Sequence, residues 1–431
     1  MGGSRAGPES ALAAAARRPA GLVAIAIAAQ LLGFAVTLLA ARLLGVGGFE
    51  AYAVASALFV VLATMAPLGS EKHALRHLPL LLQGGLLGRA RGLLRFGAAR
   101  TLRVAAMAAL LTAGWALAAL PATEMRTAIL VTCLSLPAGA LCHYAVEVLT
   151  AANRPGLAML LFRLLVPAAA LLLLGVVLLS GHQLSGPLVV GAWGLGWLLA
   201  LAALATVFRR AVPPMLWQTP SEQDRPRWRA ETRPFLVYRL SMSVLAQAPL
   251  LMLGLLGAPD AASSGEIGAY AAAVSTAAMI TVLATATNRA YGRELGLLIG
   301  AGDGPGIARI RQARLRWMLP AVLGLGGFFM LFAGPILSLF QPAFAATGAW
   351  PLRLLVMANA LSVLLALAPT ILKYRAQTSA TYAIVAGAAV LELLLLALLV
   401  PRFGATGAAL AYLAATAGLY GAFTRLARSP L

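Results

Sequence analysis

Charge is scarce in this chain of 431 residues: 11% are charged, and only 13 are acidic. Cysteine is nearly absent. Cys133 and Cys142 lie nine residues apart, which puts them on opposite faces of one helix and rules out a bridge between them. There is no CxxC and no metal-ligand cluster, so neither a disulfide framework nor a metal is expected. Also missing are a nucleophile motif, a phosphate loop and paired carboxylates in a long polar loop. These absences argue against an enzyme, and no cofactor is expected.

What the chain has in quantity is apolar surface. Hydrophobic residues make up 61% of it, and mean hydropathy is +0.89. A soluble protein of this length has too little interior to hide so much, so the bilayer is the expected solvent. Twelve spans follow from the apolar runs: 20–41, 50–69, 102–120, 127–150, 157–180, 187–208, 236–256, 267–288, 317–340, 350–372, 379–400 and 405–424. Arg17-Arg18-Pro19 precedes a run too long for the core of a cleaved signal, so the first span is read as retained. The expected order is a tail (1–19), an N-lobe (20–208), a linker rich in Pro, Arg and acids (209–235), a C-lobe (236–424) and a second tail (425–431).

The net charge of +20 resembles that of a nucleic-acid binder, but the arginines sit in short loops and form no basic domain, so nucleic acid is not an expected partner. With both termini cytoplasmic, 29 of the 33 Lys and Arg fall inside and only Arg42, Arg126, Arg353 and Arg402 outside. That is the positive-inside pattern, and a missed span would scramble it. Residues 78–103 and 305–317 mix Leu or Ile with spaced Arg and read as helices lying in the interface.

The halves repeat. GFEAYAVAS (48–56) and EIGAYAAAVS (266–275) place Tyr52 and Tyr270 at equivalent points, 218 residues apart. Two like-oriented halves point to a transporter that rocks about a central cavity.

Five ionisable residues lie in or at the edges of spans: Glu147, Arg163, Arg239, Arg289 and Glu392. Each needs a partner or a watery cavity there. His143, Gln30, Gln247, Asn288 and Asn359 accompany them. The turn Asn153-Arg154-Pro155-Gly156 levels Glu147 with Arg163, predicting an ion pair in the N-lobe. His143 shares the Glu147 face and is a proton-relay candidate. A turn near Arg375-Ala376-Gln377 levels Glu392 with Asn359, predicting a hydrogen bond and making Glu392 a proton-coupling candidate.

ARLLGVGGFEAYAVASALFV (41–60) resembles the first-to-second-span signature of polysaccharide transport (O-antigen flippase) proteins in the multidrug/oligosaccharidyl-lipid/polysaccharide (MOP) flippase superfamily. Arg42, Leu44, Gly45, Phe49 and Tyr52 match the pattern; Val46 stands where Pro is usual, and Glu50 where Gly is usual. FGATGAALAYLAATAGLY (403–420) is similar to the family's last span. The resemblance implies an all-α polytopic membrane protein with twelve transmembrane helices in two pseudo-symmetric, MATE-like lobes. It implies alternating access in a bacterial inner membrane and a polyprenyl-diphosphate-linked oligosaccharide as cargo, for O-antigen, capsule or exopolysaccharide. Membrane lipid and other polysaccharide-assembly proteins are the further partners it implies, for a chain acting as a monomer. Arg239 and Arg289, then Arg42 and Arg163, are the candidates to hold the diphosphate. A multidrug antiporter of the superfamily typically has an acid in span one, or acids in spans seven and ten; here span one offers only Gln30, and the other two have none. A membrane enzyme or a scaffold of polysaccharide assembly is the third alternative.

Overall fold

The protein is described by a computed structural model covering residues 19–181, 183–256, 265–375 and 377–428, of which 19–23, 255–256, 285–290 and 292–293 are described as backbone only. No strand occurs among the described residues. Among the described residues, ten helices are long and apolar enough to cross a bilayer. Two of these, Pro19–Met65 and Thr378–Arg428, have 47 and 51 residues. Each is about 70 Å long, more than twice the hydrocarbon thickness of about 30 Å. Each breaks at a glycine with positive φ, Gly45 at 66° and Gly404 at 50°, a conformation that costs other residues energy. Counting the two arms of each gives twelve spans, with the breaks at the expected boundaries.

The two predicted surface helices are not separate elements. Helix Ser70–Gln83 ends at Gly84-Gly85, and helix Leu87–Ala119 then runs unbroken from the arginines into the membrane span. Gly92 and Gly97 leave the helix intact and serve close packing instead. Likewise 305–317 is the first part of helix Gly304–Leu331, capped by Asp303 Oδ1, which accepts from Gly306 N at 2.8 Å.

The chain forms two compact units. The first takes Phe59–Arg239 together with the N-terminal segment up to Gly33; the second takes Phe34–Leu58 and Leu240–Leu431. In the first, helix Glu124–Ala151 packs against helices Gly186–Ala211 and Leu87–Ala119. Small residues permit the approach: a methyl on Gly97 would run into the Tyr144 ring, and one on Gly139 into Phe59. The segment read as a linker is docked here. Leu216 and Trp228 join Leu78, Leu93, Phe96 and Tyr144 in one apolar cluster. Large side chains face outward instead, with Leu110, Leu134 and Leu179 exposed, Leu179 at 91%. Leucine outside and alanine or glycine inside is the arrangement that lipid favours.

In the second unit, helix Phe344–Leu364 packs on helices Glu266–Ala277, Gly304–Leu331 and Thr378–Arg428. Phe49 stacks near Phe344 and Tyr52, with centroids 5.9 and 6.0 Å apart. Glu50 Oε1 accepts from the backbone N–H of Gly268 at 3.2 Å, across a sequence separation of 218. That separation equals the repeat offset, so Glu50 meets its own counterpart.

Arg314, expected on a membrane surface, is fully buried and donates to the carbonyls of Val363 at 2.9 Å and Leu364 at 3.1 Å. These are among the last carbonyls of helix 344–364, which lack an intrahelical donor. Arg314→Leu is expected to cost about 2 kcal/mol, the scale of a charged hydrogen bond withdrawn from buried acceptors. Thermal unfolding in detergent checks it, and an unchanged midpoint would refute the capping role.

Candidate functional site: a basic pocket and two buried carboxyls

The first group of residues begins with a backbone feature. Leu68 and Gly69 both have positive φ and end the first long helix. A Cβ on Gly69 would lie 2.6 Å from the Thr232 carbonyl, so helix 70–83 starts hard against helix Arg225–Leu256. This approach sets Glu71, fully buried, 3.4 Å from Arg239 Nε. Burial pushes the Glu71 carboxyl above its usual pKa, and Arg239 pulls in the other direction. Arg239, nominated for phosphate, is therefore already occupied by a buried carboxylate.

The next residue corrects an expectation. Lys72 Nζ lies 2.6 Å from Glu147 Oε1, so the ion pair of Glu147 is with Lys72 in place of Arg163. A hairpin turn sets the depth of the residues on its two arms, but neither their azimuth nor the third helix that here supplies Lys72. Arg163 sits in a π-helical turn, Leu161–Leu165. With Arg239 it is one of the two cations in electrostatic reach of His143. The His143 ring packs with Phe162 (4.9 Å) and Trp197 (6.0 Å), which lie 5.2 Å from each other.

Sequence reasoning missed a third feature of this unit. Arg100, Arg103 and Arg229 converge on a pocket of about 200 Å³ that they share with Leu68, Phe96, Val104 and Met107. Arg100 donates to Thr232 Oγ1 at 2.8 Å and lies 5.7 Å from the centroid of Phe96. The carboxylate in electrostatic reach of Arg100 is Glu71, which Arg239 already holds. Met107 and Leu110, farther along the same helix, are exposed, so the pocket opens where that helix turns apolar. The spacing Arg100/Arg103 was visible as a basic run, but Arg229 lies far along the chain.

In the second unit, Glu392 is fully buried and neither carboxyl oxygen has a hydrogen bond. The expected bond to Asn359 is not formed; Asn359 Oδ1 accepts from Tyr412 at 3.4 Å. Tyr270 and Tyr412 are both in electrostatic reach of Glu392. The carboxyl thus sits in an apolar interior edged by two phenols. Arg42 donates to the Leu339 carbonyl, and Gln341 donates back to Ala41. The side chain of Arg289 lies outside the described residues.

No family model matches the sequence, and no curated protein matches it. Solved structures do. The lipid II flippase MurJ, in an inward closed conformation, aligns with TM-score 0.73 at 12% identity, over 95% of this chain and 87% of that one. A multidrug resistance MATE family transporter of the MOP superfamily, inward-facing, gives 0.67 at 13% identity, over 92% and 94%. A mutant of the Vibrio cholerae MATE transporter VcmN gives 0.63 at 16% identity, over 97% and 98%. At such identities the likeness speaks for the fold alone: the chain is an all-α, multi-pass membrane protein with the architecture of MOP-superfamily transporters.

Proposed function

We propose that the protein is a flippase that turns a polyprenyl-diphosphate-linked oligosaccharide from the cytoplasmic to the outer leaflet by alternating access, for O-antigen, capsule or exopolysaccharide synthesis in a bacterial inner membrane. The observation that carries the reading is the pocket of Arg100, Arg103 and Arg229 beside Leu68, Val104 and Met107. A diphosphate is recognised by arginine's planar donor fork, and apolar neighbours suit a headgroup whose tail stays in lipid. By the charge asymmetry of the loops this pocket is on the cytoplasmic side, where such a lipid would load. The fold likeness to a lipid II flippase is in keeping with this reading.

A second reading, a MATE-type cation antiporter, is favoured by Glu392, a buried carboxyl without a hydrogen bond. One set of measurements separates the two. Purified protein is examined by native mass spectrometry for retained polyprenyl diphosphate, and in proteoliposomes for flipping of a labelled lipid-linked sugar. Arg100→Ala with Arg229→Ala is expected to reduce retention and flipping by at least tenfold, the scale of losing two charge-assisted contacts. Unchanged flipping in the double variant would sink the pocket's role. Retention of phospholipid alone, with drug efflux that Glu392→Gln abolishes, would establish the antiporter.

A further inference from the structure

The chain was expected to hold no metal-ligand cluster, yet the fold assembles one from residues far apart in sequence. His73 and His77 are four residues apart on helix 70–83, so both project from one face. Their rings lie 4.4 Å apart, centroid to centroid. Glu231, from the start of helix 225–256, completes the group. Its Oε2 is 3.6 Å from His73 Nε2 and 4.0 Å from His77 Nε2. One ligand atom from each of the three residues lies within 4.8 Å of the others.

Those distances suit a small divalent ion. A tetrahedron with arms of 2.0–2.1 Å has edges of about 3.3 Å, so a metal would draw Glu231 closer to both rings, from 3.6 and 4.0 Å, and bring the two imidazole nitrogens, now within 4.8 Å, to the same spacing. His73 is 2% exposed, and neither ring nitrogen makes a hydrogen bond. Neutral imidazole is the form that binds metal, and both nitrogens of this ring are left without a hydrogen-bond partner. Glu231 divides its oxygens: Oε1 accepts from Arg227 Nε at 2.9 Å, while Oε2 faces the imidazoles. A cavity of about 330 Å³ opens beside them, lined also by Glu222, Gln223 and Asp224. Arg89 also lines it and lies 3.4 Å from Glu222 Oε2, as Arg227 lies 2.9 Å from Glu231 Oε1.

We propose that His73, His77 and Glu231 form a binding site for a divalent transition metal of the zinc class, clamping helix 70–83 to the start of helix 225–256 within the first unit. Three protein ligands and one open position facing a cavity leave room for water or for Glu222 or Asp224 as the fourth ligand. The site is separate from the arginine pocket and does not depend on the transport reading.

The test uses the full-length chain, without a histidine tag, in detergent. After exposure to micromolar Zn²⁺ and gel filtration, elemental analysis is expected to find one zinc per chain. Co²⁺ in its place is expected to give the visible d–d absorption of a four-coordinate N/O site. His77→Ala and Glu231→Gln should each weaken zinc binding by more than about tenfold, the least that even an outer-sphere change costs such sites. Zinc should raise the thermal midpoint of the unaltered protein and leave that of His77→Ala unchanged. No zinc retention by the unaltered chain, or equal retention by both variants, would overturn the assignment. The cobalt spectrum tests it even if a variant fails to fold.

Discussion

Arg239→Leu is expected to lower stability by about 3 kcal/mol, at the lower end of the range for breaking a buried ion pair because Arg239 is itself partly exposed. The damage comes from what is left behind: Glu71 is fully buried, and its oxygens find no hydrogen bond elsewhere. Adding Glu71→Gln to Arg239→Leu should therefore restore most of the loss, since a neutral amide costs far less to bury than a carboxylate. The pH dependence has a definite sign. Burial raises the Glu71 pKa in the folded protein above its ordinary 4.5. The stability it contributes is complete below that ordinary value and is lost as pH rises through the raised one. Arg239 limits that loss, so the Arg239→Leu deficit should be largest at neutral and alkaline pH and shrink toward pH 4.5. Unfolding midpoints of the unaltered protein and these two variants across this range decide the matter. A deficit independent of pH would mean that Arg239 acts through packing alone.

Gly92→Ala should be at least as damaging, again by about 3 kcal/mol. The added methyl would occupy the position of the Glu222 carbonyl oxygen and lie 3.3 Å from the Trp228 ring. Overpacking costs about 1–3 kcal/mol when side chains can move aside; here the obstacle is backbone, so the segment must come away. Its detachment breaks the bond from Glu222 N to Gly88 O at 3.0 Å, the Arg91 bond to the Thr219 carbonyl at 2.6 Å, and the burial of Trp228. A loss of this size multiplies the detached population roughly a hundredfold. Trypsin cleavage after Arg227 and Arg229 should accelerate to match, because proteolysis follows that population. Cleavage at the unaltered rate would show that the segment is held by other contacts.

These cases mark what could be read from the chain and what could not. Span number and order follow from apolar runs and charge asymmetry, because bilayer thickness fixes helix length whatever the neighbours do. The depth of each polar residue follows from the same count. Neither azimuth nor the choice of neighbouring helix does, and the missed contacts turned on these. Glu392 and Asn359 were placed level, but Asn359 serves Tyr412. Glu147 was given a partner across its own hairpin, while Lys72 reached it from a different helix. Arg314 looked like one of a row of surface arginines; only the end of helix 344–364 explains its burial. For residues 209–235, Pro and charge spoke for a loop, and Leu216 and Trp228 were the overlooked signs that the segment would dock. His73 and His77 were visible as a pair at helical spacing. Glu231 could join them only once two helices were known to touch.

Glu50 and Gly268 carry a consequence for how this chain can have diverged from two identical copies. Here a residue packs against its own repeat counterpart, so the two share one space. Two glycines there would leave a void in the packing. Two glutamates would set carboxyl against carboxyl and crowd Phe344, which already lies where a Cβ on residue 268 would go. One glutamate and one glycine fill the space once, with the longer side chain donating nothing and accepting the N–H of the shorter. At this point a duplicated sequence gains by ceasing to be symmetric. A change here is then a choice of which copy carries the bulk, and the reciprocal exchange, glycine at 50 with glutamate at 268, asks Phe344 to find another place.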